Sequence, residues 1–195
     1  SKALESRSVP EETVSDPRNV YAATKLHQEH LCGLFARENE GVRFAALRYH
    51  NVYGPRMPRD TPYAGVASLF RSALEAGRAP ELFEDGGQRR DFVHVHDVAR
   101  AFRLALDSNA AVGHAINVGS GASVTIREVA LRLAGALGVE IAPVTTGRYR
   151  VGDIRHCFAD ISRIRSVLGY QPRVQFEQGV HELVEWIRQE PAVDQ

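Results

Sequence analysis

The chain has 195 residues, 44% of them apolar, with 24 Lys plus Arg against 24 Asp plus Glu and a formal net charge of zero. That size suits one globular domain or one and a half, while the balanced charge and the lack of a basic tract interleaved with aromatics argue against nucleic acid as a partner. No apolar run approaches the ~18 residues of a membrane span, and Cys32 and Cys157 lie far apart with no CxxC spacing, so neither a zinc site nor a disulfide framework is indicated and a reducing cytoplasm is expected.

Residues 1–18 are polar, carry Pro10 and Pro17, lack the apolar core of a signal peptide, and are expected to form an irregular lead-in. A helix is predicted over 20–39, closed by Asn39 and Gly41. "VRFAALRYHNVYGP", 42–55, is rich in β-branched and aromatic residues and reads as one buried strand ending at Gly54-Pro55. After a polar loop come a helix near 63–76, a short strand at "ELFED" and a turn at Gly86-Gly87.

"DFVHV" alternates as a strand, and Asp97 is the expected N-cap of a helix whose apolar face carries Val98, Ala101, Phe102, Ala105 and Leu106. "HAINVGSG" is a further strand with a glycine turn. Thr125 and Glu128 form a capping box ahead of Ile126, Val129, Ala130, Leu133 and Leu137, and Gly138 ends that helix. Two more helices are predicted, one with Ile161, Ile164 and Leu168 stopped by Gly169, the other from about 176 with Val180, Leu183, Val184 and Ile187. Helices and short apolar strands alternate, which marks an α/β fold with a parallel sheet.

Tyr21 and Lys25 share one helix face because positions i and i+4 do. A free phenol is a poor base at neutral pH, but a nearby ammonium favours the phenolate, so such a pair suits proton removal from an alcohol while a hydride leaves the same carbon for a nicotinamide. His94 and His96 form an HxH that raises a metal site. No third ligand is placed by spacing, and they are read as structural.

"YAATK", "LRYHNVYGPR", "GGQRRDFVHVHDVARA", "INVGSG", "RVGD" and "ADISRIRSVLGYQP" follow one another in an order that resembles the extended short-chain dehydrogenase/reductase family, most nearly its NAD-dependent nucleotide-sugar epimerases and dehydratases. The resemblance runs from about residue 9 to 188. It implies the later strands of a Rossmann-type parallel sheet, from 1–55 and 88–120, with a smaller mixed α/β substrate-binding lobe from 56–87 and 121–195. In such enzymes Tyr21 would be the acid/base, and Lys25 would both acidify it and bond the nicotinamide ribose of NAD. The family's catalytic Ser or Thr and its glycine-rich NAD turn are expected upstream of Ser1, so the chain alone is expected to be inactive. A strand such as "FAALRY" would then have an open edge.

"GSGASVT" offers Gly119 and Gly121, but Val124 stands where a third glycine would be, so a tight strand-to-helix connection is the expectation there rather than a cofactor turn. For a nucleotide-sugar substrate, UDP- or dTDP-linked, the resemblance assigns Arg90 and Arg150 to phosphate, Asp153 to the ribose, Asn51 to the pyrophosphate neighbourhood and Phe83 to the base; guanidinium forks suit phosphate and carboxylates suit diols. It also implies a homodimer. The expected activity is 4-epimerisation through a 4-keto sugar, with a 4,6-dehydratase, a decarboxylase or a non-catalytic binding module as alternatives.

Overall fold

The computed structural model describes residues 6–58, 65–149 and 153–189. The first helix, α1 (Val20–Glu38), starts where predicted because the Asn19 side chain accepts the Ala22 N–H at 2.8 Å, satisfying one of the donors that a helix start leaves open. It buries no residue of its own. Its tie to the sheet is polar: Glu29 takes Nε and Nη2 of Arg48 at 2.9 and 2.7 Å, a two-pronged carboxylate–guanidinium pair.

The predicted single strand over 42–55 is two, β1 (Ala46–Tyr49) and β2 (Asn51–Tyr53), because the chain changes neighbour at His50. β1 runs parallel to β6 (Ala115–Val118), whereas β2 runs parallel to β5 (Phe92–His94). The expectation of a buried strand is also corrected. Tyr49 and Val52 are exposed, and β1 has one partner strand, β6, among the described residues.

The polar lead-in is less irregular than expected. Val9 bridges Ala159 in parallel, its N–H donating to Phe158 O at 2.9 Å while its carbonyl accepts from Asp160 N at 3.1 Å. Beside it the Glu11 carboxylate receives the Asn117 N–H at 2.8 Å. A polar sequence can join a sheet in this way where main-chain pairing, rather than apolar burial, holds it.

The helix α2 (Val66–Glu75) is followed by β3 (Glu81–Leu82) and β4 (Arg89–Arg90). After β5 comes α3 (Val95–Leu106). Asp97 is not its N-cap as predicted: His94 is, with its ring accepting from His96 N at 3.4 Å. Asp97 sits in the first turn, buried, and binds a different part of the chain, the N–H groups of Arg173 (2.9 Å) and Val174 (3.1 Å), with Arg100 at 2.9 Å. Phe102 and Leu106, expected on the buried face of α3, are exposed.

The remaining elements are β7 (Val124–Thr125), α4 (Ile126–Leu137), β8 (Val144–Thr145), β9 (His156–Cys157), α5 (Ser162–Leu168) and α6 (Phe176–Gln189). The Thr125–Glu128 capping box forms as predicted, and Gly138 and Gly169 end α4 and α5 in the left-handed conformation, which glycine adopts without Cβ strain. Among the described residues all strand pairs are parallel except β4 with β7, the α/β arrangement expected from alternating elements.

Among the described residues, most buried apolar side chains fall into two clusters. One joins Phe70, Leu74, Leu82, Phe92, Leu133 and Leu183, from α2, α4, α6 and the strands between them. The other joins Ala101, Ile116, Val118, Ile164 and Tyr170 around β6.

Candidate active site

Beside the first cluster lies a cavity of about 630 Å³, within the usual size range of small-molecule sites. Four of the predicted residues, Asn51, Phe83, Arg90 and Asp153, line it together, and Ser72, Arg78, Glu81 and Gln88 add further polar groups. Leu69 and Phe70 of α2 and Ile126 of α4 add apolar surface to the lining. One enclosure thus offers guanidinium donors, carboxylate acceptors and an apolar surface.

β4 delivers Arg90, and neighbouring backbone fixes it. Its guanidinium donates to Ile154 O at 2.7 Å and Arg155 O at 2.8 Å and pairs with Asp153 at 3.1 Å. Only 15% of the Arg90 side chain is exposed, against 47% for Asp153, so the cation is held and its carboxylate partner is the looser of the two. Asn51 is anchored too, its amide nitrogen donating to Asp91 O at 3.0 Å.

Phe83 lies in the turn after β3, with the Arg148 guanidinium 5.4 Å from its ring centroid, a cation–π stacking distance. The turn is fastened by Gln88, whose side-chain nitrogen donates to Phe83 O at 3.0 Å. Arg155 holds Asp85 in a salt bridge at 2.7 Å and Glu84 at 2.6 Å. That hydrogen bond, with the Gly87 N–H, pulls the Asp85 carboxyl down to about 2.

Arg150, the second predicted phosphate ligand, lies outside the described residues. Tyr21 and Lys25 are not among the cavity's lining residues. They sit one turn apart on α1, with Tyr21 60% exposed, the Lys25 ammonium 5.5 Å from the Tyr21 ring centroid and donating to Gln28 Oε1 at 3.3 Å.

The Gly119–Gly121 loop is built around a side chain. Ser120 N and Oγ both donate to Asp91 Oδ1 at 2.7 Å, and Gly121 N donates to Oδ2 at 3.0 Å. A Cβ on Gly119 would stand 2.5 Å from Asp91 Oδ2, so glycine there admits the buried carboxylate. Those donors are spent on Asp91, and the loop does not fit a pyrophosphate.

Arg78 and Glu81 were missed in the sequence. Arg78 follows Gly77 in "GRAP", which reads as an ordinary helix end, and no local pattern tells that it shares a cavity with Arg90.

The NAD dependent epimerase/dehydratase family matches residues 3–119. The chain is 35% identical over 174 residues to dTDP-L-rhamnose 4-epimerase of Burkholderia thailandensis, covering 89% of this chain and 47% of that protein. It is 37% identical over 173 residues to UDP-glucose 4-epimerase of Mycolicibacterium smegmatis, covering 89% and 54%. The crystal structure of UDP-glucose 4-epimerase with UDP-glucose from Thermotoga maritima superposes with a TM-score of 0.86 at 32% identity, over 97% of this chain and 60% of that one. A decarboxylase and a dehydratase acting on nucleotide sugars match at 32% and 34% identity. The chain spans about half the length of the curated relatives it matches. With the motif order, the parallel α/β fold and a family match over more than half its length, the chain belongs to the NAD dependent epimerase/dehydratase family.

Proposed function

We propose that the protein carrying this chain is an NAD-dependent nucleotide-sugar 4-epimerase, and that the cavity beside Arg90 takes the nucleotide diphosphate of its substrate. The observation that carries this reading is the convergence of Asn51, Phe83, Arg90 and Asp153 on one cavity, since a nucleotide diphosphate needs a surface for a flat base, an acceptor for ribose hydroxyls and a fixed cation for phosphate. Arg150 is proposed as a second phosphate ligand. UDP- and dTDP-linked sugars both suit the site, as the names of the two curated relatives suggest. Two parts are proposed from the motif order, the sheet strands of 1–55 and 88–120 and a substrate lobe of 56–87 and 121–195; the buried clusters cross that division, the first taking in Tyr53 and Phe92 and the second Ile161, Ile164 and Tyr170.

The donor set on α1 fits a nicotinamide ribose: an exposed phenol and an ammonium one turn apart, with Gln28 as the lysine's partner. When bound, NAD supplies a hydride acceptor and later a hydride donor at the sugar C4. Tyr21 takes the proton from the C4 hydroxyl through its phenolate oxygen and gives it back after the 4-keto sugar has turned its other face. Lys25 steadies the phenolate by its charge and holds the ribose hydroxyls. Arg90 anchors the diphosphate so that the sugar alone turns. A cytoplasmic homodimer is the proposed setting, on the resemblance alone.

The test is to incubate the protein with NAD and, separately, UDP-glucose and dTDP-linked sugars, following C4 configuration by NMR. Inversion at C4 with nothing else changed supports the epimerase. Accumulation of a 4-keto-6-deoxy sugar or release of carbon dioxide from a uronic acid substrate would assign the protein to the dehydratases or decarboxylases instead, and absence of turnover with retained nucleotide binding would favour a binding module.

A further inference from the structure

We propose that His94, His96 and Glu182 form a binding site for one divalent transition-metal ion of the zinc class, apart from the nucleotide cavity, where the ion would clamp α6 to the junction of β5 and α3. Glu182 is the third ligand that spacing in the sequence could not place. It arrives from α6, packed over the HxH.

His94 carries the argument. Its side chain is fully buried, and its Nε2 has no hydrogen-bond partner, a costly state for a polar atom. That nitrogen points at Glu182 Oε2, 3.5 Å away, and the same oxygen lies 4.0 Å from His96 Nδ1. One ligand atom from each residue lies within 4.8 Å of the other two. Ligands about 2.0–2.2 Å from a tetrahedral ion stand roughly 3.3–3.5 Å apart, so the His94–Glu182 pair is already at coordinating separation. A small turn of the His96 ring, 67% exposed, brings in the third.

The surroundings assign the other valences. Gln178 binds Glu182 Oε1 at 2.9 Å, which leaves Oε2 facing the imidazoles. Gly54 and Gly179 press against the His94 ring, where a Cβ would come within 2.9 Å of Nε2 and of Cδ2 respectively, and the Tyr53 ring meets it edge-on at 5.3 Å between centroids. The ring cannot readily turn aside. Coordination through Nε2 puts the imidazole proton on Nδ1 and gives up the 3.4 Å cap contact with His96 N, which is already at the weak limit of a hydrogen bond. Two nitrogens and one carboxylate suit zinc, cobalt or nickel better than magnesium or calcium, which prefer all-oxygen shells. Solvent beside His96 completes the shell with water.

The test is a Co²⁺ titration of tag-free, chelator-stripped protein, followed by the visible absorption of coordinated cobalt and by its displacement with Zn²⁺. One equivalent per chain is expected, displaced by zinc, with affinity falling at least about tenfold in both His96→Ala and Glu182→Gln, and with a melting temperature that zinc raises only in the parent protein. His96 is exposed and Glu182→Gln keeps the side chain's shape, so both variants should fold. No saturable cobalt band, or the same affinity in either variant, would overturn the proposal.

Discussion

Arg90 pairs with Asp153 at 3.1 Å in the lining of the cavity while two backbone carbonyls, those of Ile154 and Arg155, hold the same guanidinium. The arginine is positioned before any ligand arrives, so little side-chain entropy remains to be lost on binding. Under the proposed nucleotide assignment, Asp153, more exposed and held by fewer bonds, would move to a ribose once phosphate takes over the cation.

Replacing Tyr21 by Phe removes the proposed proton acceptor and leaves the proposed nucleotide cavity untouched, since Tyr21 is not in its lining. Turnover should fall by about a hundredfold to ten-thousandfold, the usual worth of a positioned acid/base, with UDP affinity unchanged. A Phe variant that keeps most of its rate would remove Tyr21 from the chemistry.

Asp97→Ala should destabilise the fold. The buried carboxylate accepts the N–H groups of Arg173 and Val174 and faces Arg100, and truncation leaves those donors unsatisfied at about 1–3 kcal/mol each. A loss of roughly 2–4 kcal/mol in urea unfolding is expected. A loss below about 1 kcal/mol would mean that water replaces the carboxylate.

Asp85 makes stability depend on acid pH. Its folded-state value, about 2, lies below the ordinary 3.8, chiefly through the Arg155 hydrogen bond. A depressed carboxyl stabilises the fold fully above its unfolded value, and that contribution is lost as pH falls from about 4 toward 2. Both side chains are largely solvent-exposed, so the effect is small. Melting temperatures measured across that window should fall less steeply in Arg155→Ala than in the parent; parallel curves would contradict the pairing.

Local signals told most of the fold. The capping box at Thr125 and Glu128 and the left-handed glycines at 138 and 169 are encoded within a few residues, and the helices they bound formed as read. Errors came where a distant segment chose the outcome. Asp97 looks like a cap but is claimed by Arg173 and Val174, and the strand through His50 breaks because β6 and β5 each take one half. The same holds at the site. The motif order picked out Asn51, Phe83, Arg90 and Asp153, which do share a cavity, whereas Arg78 and Glu81 join it only through the packing of α2 and β3.

The most direct measurement is calorimetric titration of UDP and of dTDP into the parent protein and into Arg90→Ala, with melting temperature as a check on folding. At least one nucleotide should bind, and loss of the charged hydrogen bonds, worth about 1.5–3 kcal/mol, should weaken it roughly tenfold to a hundredfold. Equal affinity in a folded Arg90→Ala protein, or no binding of either nucleotide to the parent, would contradict the assignment of this cavity to a nucleotide sugar.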